Sequence, residues 1–149
     1  MRSPGLARIL TISNYYATML QGTHINLGKK LAPMAERSDR PLRLAIADSG
    51  AVPYYSKWEA IDTFGLNDAH IALTGEHEPD YVLSQNPDLV ILLSKRRETF
   101  DPMLPWAEDL RQACLRSGME RIRVFGIDSY ALWVMGDPES WIAQELRGS

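Results

Sequence analysis

The sequence predicts an α/β domain, a single layer of mostly parallel strands with flanking helices, and three observations carry that expectation. The apolar runs Leu42 to Ala47 and Leu89 to Leu93 are continuous rather than alternating, as in strands covered on both faces. Segments of helical periodicity lie between the strand-like runs, and such alternation implies parallel strands joined by crossover helices. The chain has 149 residues, 45% hydrophobic and 23% charged, which suits one domain around one core.

The elements follow in order. Residues 13 to 36 read as mainly helical, with Tyr16, Met19, Leu20, Ile25, Leu27, Leu31 and Met34 at three- and four-residue spacings and Gly22 and Gly28 as weak points. A polar break, Arg37 to Pro41, precedes the first strand. Trp58 to Phe64 reads as a short second strand carrying Asp62, after which Gly65 allows a turn. Asn67 or Asp68 suits the cap of a short helix over 69 to 72. Pro79 fits the first turn of a helix through Ser84. Leu89 to Leu93 is the clearest strand. Pro105 to Ser117 is an amphipathic helix stopped by Gly118. Ile122 to Ile127 and Tyr130 to Met135 are strands joined through Asp128-Ser129 as a hairpin or edge pair. A short helix, Pro138 to Leu146, follows. The alternation as a whole is Rossmann-like, without internal repeats or a linker that would divide the chain.

Composition narrows the function classes. A net charge of −3 argues against a nucleic-acid partner, which needs a concentrated positive surface. The basic cluster Lys95-Arg96-Arg97 reads as a solvated loop. No apolar run approaches the roughly 20 residues that cross a bilayer, and Met1 to Ala17 has no continuous apolar stretch of the secretory kind. The two ends read as cut from a longer chain. Cys114 is the single cysteine, so no internal disulfide forms. Its helix face, shared with Trp106, Leu110 and Ala113, points to a buried, inert thiol.

The functional signal lies between Asp48 and His70. Asp48 follows the first strand, where an open α/β sheet carries its ligands. Its carboxylate can accept hydrogen bonds from ligand hydroxyls or from N–H groups of its own turn. Ser49-Gly50 permits a sharp turn, but the segment matches neither a dinucleotide fingerprint nor a phosphate-binding loop. Tyr54 and Tyr55 offer apolar faces with hydroxyl edges, suited to sugars; alternatively one ring packs inward and the other lies on the surface. Asp62, Asn67, Asp68 and His70 can converge with Asp48 if the second strand lies beside the first. Asp48 and Asp62 could form an acid/base pair if their separation allowed it. No Ser or Cys nucleophile accompanies His70 in a known motif. The Glu76-His77-Glu78-Pro79-Asp80 cluster could bind a metal through oxygen and imidazole, but its spacing matches no zinc site and it reads as a solvated loop; no metal and no cofactor is expected.

The run D-S-G-A-V-P-Y-Y-S, followed by I-D-T-F-G-L-N-D-A-H-I-A, resembles a signature of the soluble C-terminal portion of polytopic bacterial GT-C type glycosyltransferases, the mannosyl- and arabinofuranosyltransferase-like membrane enzymes. Asp48, Gly50, Pro53, Tyr54, Tyr55, Ser56, Asp62, Gly65, Leu66, Asp68 and His70 carry the match. Leu27 to Ala32, Pro79 to Val82 and Pro87 to Val90 extend it, so that it covers residues 20 to 95. The transmembrane helices and acidic loops that hold catalysis in such enzymes are missing from this sequence. The resemblance implies an accessory domain on the extracytoplasmic, periplasmic face of the bacterial inner membrane, not catalytic alone. It would assist recognition of an acceptor glycan or polyprenyl-phosphate sugar beside the transmembrane part of the same polypeptide. Asp48, Tyr54, Tyr55, Asp62, Asp68 and His70 would line its ligand surface. The alternatives are a stand-alone cytoplasmic enzyme acting on a sugar or phosphosugar, with Asp48 and His70 as acid/base groups, and an interaction domain.

Overall fold

In the computed structural model the described residues are 4–64, 73–74 and 78–149. The expected positions Asp68 and His70, the cap at Asn67, and the Glu76-His77 pair lie outside them. The chain begins as a helix from Pro4 to Arg37, interrupted once: α1 (Pro4–Leu20), a π-helical turn (Gln21–Ile25) and α2 (Asn26–Arg37). There follow β1 (Arg43–Ile46), α3 (Ala51–Ser56), β2 (Glu59–Asp62), α4 (Pro79–Ser84), β3 (Leu89–Ser94), α5 (Ala107–Arg116), β4 (Glu120–Ile127), β5 (Tyr130–Gly136) and α6 (Trp141–Gly148).

The five strands form one sheet in the order β2-β1-β3-β5-β4. The sheet is mixed, which corrects the expectation of a mostly parallel one. β1 is parallel to β2 and β3, whereas β5 is antiparallel to β3 and β4. The cause is the short connection Asp128-Ser129. A connection of this length reverses the chain, because a parallel return needs a crossover of a dozen or more residues. The hairpin then docks on β3 through its second strand, leaving β4 at the edge.

Strand alternation sorts the core into two layers. Leu44, Ile46, Leu89, Ile91, Leu93, Leu132 and Val134 point to one face, covered by Leu27, Leu31 and Met34 of α2, Val52 of α3 and Ile142 and Leu146 of α6. Ala45, Val90, Leu92, Ala131, Trp133 and Met135 point to the other, covered by Val82 of α4 and Leu110 and Cys114 of α5. The continuous aliphatic composition of β3 follows: all six of its residues are buried. Helix ends match their local chemistry. The Ser140 hydroxyl accepts the Ala143 N–H at 3.1 Å as the N-cap of α6. Gly118, at φ +93°, follows α5 where a left-handed residue ends a helix.

Candidate functional site at the end of β1

β1 has β2 on one side and β3 on the other, so the chain leaves it in one direction and returns across it in the other. In an open α/β sheet a crevice opens at such a reversal, outside the carboxyl ends of the strands. Asp48 lies there, two residues beyond β1, with a half-exposed side chain. Its Oδ1 accepts the Gly50 N–H at 3.4 Å, so the turn-bracing alternative holds on that oxygen while Oδ2 faces elsewhere.

Behind Asp48 stands a residue the sequence analysis passed over. His24, in the π-helical turn, is fully buried. Its Nε2 is 2.8 Å from the Tyr130 hydroxyl and 3.9 Å from Asp48 Oδ2. Burial lowers the imidazole pKa, and the Asp48 charge opposes that only in part, so the ring is neutral near neutral pH. The Tyr130 phenol is pushed up to about 12 by burial, with the Asp48 and Tyr16 charges adding to the effect. His24 Nδ1 has no hydrogen-bond partner among the described residues. The neutral histidine thus presents one ring nitrogen to both a protonated phenol and a half-exposed carboxylate.

Backbone features bring these groups together. One wide turn in a helix often marks a functional position, because it turns a side chain out of the regular face. The Thr23 hydroxyl donates to the Met19 carbonyl at 2.7 Å within that turn. Gly126, at φ +96°, lets β4 approach it: a Cβ there would lie 2.8 Å from Thr23 Cγ2 and 2.4 Å from the Tyr130 carbonyl oxygen. Tyr15, Thr18, Met19, Thr23, Ile127 and Tyr130 are among the walls of an adjoining cleft of about 230 Å³.

The other expected residues divide. Tyr54 is 67% exposed and carries Lys57 Nζ 4.7 Å above its ring. Tyr55 packs edge-to-face on Tyr54 and inward on α2, where a Cβ on Gly28 would lie 2.8 Å from Tyr55 Cβ. Asp62 reaches the same end of the sheet, because it pairs with Ile46. It is only 3% exposed, and its Oδ1 accepts the Phe64 N–H at 2.9 Å, so it braces the turn after β2. Asp48 and Asp62 therefore meet different surroundings. Lys95 and Arg96 are exposed, each 4.0 Å from Asp101. Arg97 turns back to the Gly126 carbonyl.

A family model described as "Domain of unknown function (DUF8728)" matches residues 13–143. The chain belongs to that family. The match spans His24, Asp48 and Tyr130 alike. No curated protein and no solved structure matches the chain. Among the described residues no helix is long and apolar enough to cross a membrane, and no three or more His, Cys, Asp and Glu side chains gather as a metal site.

Proposed function

We propose that this chain is a carbohydrate-recognition domain of a bacterial membrane glycosyltransferase, holding an acceptor glycan or a polyprenyl-phosphate sugar at the end of β1 and not catalytic by itself. The observation that carries the proposal is Asp48: a half-exposed carboxylate at the chain reversal, backed by the buried His24 and its half-buried partner Tyr130. A carboxylate accepts two hydroxyl hydrogens from neighbouring positions of a sugar ring. The neutral imidazole behind it brings no full positive charge that would hold both oxygens inward. The exposed Tyr54 ring on α3 adds an apolar face with a hydroxyl edge. The resemblance over residues 20 to 95 supplies the enzyme class, the extracytoplasmic face of the membrane and the transmembrane partner. The parallel half, β2-β1-β3 with its helices, is on this proposal a Rossmann-like unit to which the hairpin has been added.

Titration of the 149-residue protein with arabinofuranose and mannose oligosaccharides, followed by amide NMR, tests the proposal. Shifts centred on Asp48, Tyr54 and the π-helical turn, lost in Asp48→Ala, are expected. In the full-length enzyme the same substitution should reduce glycan transfer; undiminished transfer, together with no sugar-induced shifts, overturns the proposal. A second reading, a small enzyme acting on a sugar or phosphosugar, draws on the neutral His24 within reach of a phenol and a carboxylate. Turnover of such a substrate by the 149 residues alone would select it.

A further inference from the structure

A second surface, remote in sequence from Asp48 and independent of its assignment, lies on the β4 edge. A groove of about 380 Å³ is lined there by Arg97, Glu98, Arg121, Ile122, Arg123 and Val124. Three arginines thus line it together with one glutamate. All three are held through Nη1: Arg97 on the Gly126 carbonyl, Arg121 on the Glu98 and Arg97 carbonyls at 3.4 and 3.5 Å, and Arg123 on the Leu146 carbonyl at 2.7 Å and on the Ser149 carbonyl and hydroxyl. Two of the guanidinium groups also lie over rings, with Arg121 Cζ 4.7 Å from the Trp133 ring centroid and Arg123 Cζ 5.1 Å from that of Phe125. The Nε and Nη2 donors of all three have no hydrogen-bond partner among the described residues. Elsewhere Arg37, Arg40, Arg43 and Arg111 each pair with a carboxylate. The net charge of −3 shows that the cluster is not part of a general basicity.

We propose that this groove binds the phosphate monoester or diphosphate group of a ligand. A guanidinium fork matches two phosphate oxygens, and charge-assisted bonds of this kind are about twice as strong as neutral ones. Arginines already fixed by carbonyls and rings lose little further freedom on binding, which favours affinity. Charged side chains on an edge strand also keep foreign strands from pairing. That role alone requires charge and no anion, so the two accounts differ in what the site binds.

The test uses the 149-residue protein, with pyrophosphate as the probe, by calorimetry and by NMR of the arginine Nε–H signals at low and at physiological salt. Saturable binding is expected, with shifts at Arg97, Arg121 and Arg123. Arg121→Gln with Arg123→Gln should weaken it at least about tenfold, with the amide spectrum otherwise retained. Arg121→Lys, which keeps the charge and removes the fork, should weaken it less and covers the case in which the double variant fails to fold. Phosphatidylcholine vesicles doped with phosphatidic acid separate the sources. Binding of vesicles that the same substitutions abolish assigns a lipid headgroup, whereas binding of pyrophosphate alone assigns a soluble phosphate compound. No saturable binding of either probe below about 10 mM, or binding that the substitutions leave unchanged, overturns the proposal.

Discussion

His24 Nε2 and the Tyr130 hydroxyl stand 2.8 Å apart although 106 positions separate them in the chain. The bond ties the break in the first helix to the start of β5. Tyr130→Phe removes the one hydrogen-bond partner that the buried imidazole has among the described residues and leaves both ring nitrogens unmatched. It should destabilise the fold by about 1–3 kcal/mol, read as a lower denaturation midpoint in urea.

The same histidine sets a pH dependence. Its folded pKa is lowered by burial beneath the ordinary 6.5, so between the two values the unfolded chain binds more protons. The stabilisation is fully present above that ordinary value and is lost as pH falls through the lowered one. The slope approaches about 1.4 kcal/mol per pH unit for this one proton. Urea midpoints measured from pH 7.5 down to about 5 should fall more steeply for the native protein than for His24→Leu, in which this contribution is gone. Equal slopes would refute the assignment.

Asp48 acts on both of its neighbours in the same direction. Its charge raises the pKa of His24 and that of Tyr130. Asp48→Asn should therefore lower both, measured for His24 by ring-proton NMR and for Tyr130 by ultraviolet titration. A variant with unchanged His24 titration would place the carboxylate farther away than 3.9 Å.

Two glycines in the first helix should respond with opposite sign. A Cβ on Gly28 would lie 2.8 Å from Tyr55 Cβ and 3.1 Å from the Val52 carbonyl oxygen, so α2 and α3 would have to part. Gly28→Ala should cost about 1–3 kcal/mol. Gly22 has nothing within 4 Å of such an atom. Gly22→Ala should gain about 0.5–1 kcal/mol through reduced backbone freedom in the unfolded chain. Thermal midpoints of the two variants decide the matter.

Cys114 is fully buried and its thiol is pushed up to about 12 by that burial. Native protein at pH 8 should resist a thiol reagent, and labelling should appear only as denaturant unfolds the chain. Rapid labelling without denaturant would show that α5 leaves the sheet readily.

Most elements were legible because their residues carry local signals. The aliphatic runs gave β1 and β3, the paired runs about Asp128-Ser129 gave the hairpin, and Gly118 marked the end of α5. The neighbours of each strand were not legible. Alternation of strands and helices names elements, while the insertion of β5 between β3 and β4 depends on which hairpin strand packs better on β3. The site was half legible. Asp48 announced itself by following a strand, but His24 sits in an apolar helical stretch and Tyr130 at the start of a strand, and neither carries a local sign of a partner. The weak point at Gly22 was the one local sign of the wide turn, and nothing in it indicated a partner as distant as Tyr130.

That wide turn also sets a phase. An α-helix advances about 100° per residue, and a π-helical turn adds one residue to the count. The side chains of α1 are thus rotated by about that angle from where the apolar stripe of α2, Leu27, Leu31 and Met34, would have carried them. Tyr15 and Tyr16, both more than half exposed, owe their direction to this offset rather than to their own neighbours. Removing one residue from Gln21–Ile25 would turn the two rings by a quarter-circle or more. The aromatic surface ahead of the sheet is therefore aimed by a miscount in the helix, much as a single added tooth resets a gear.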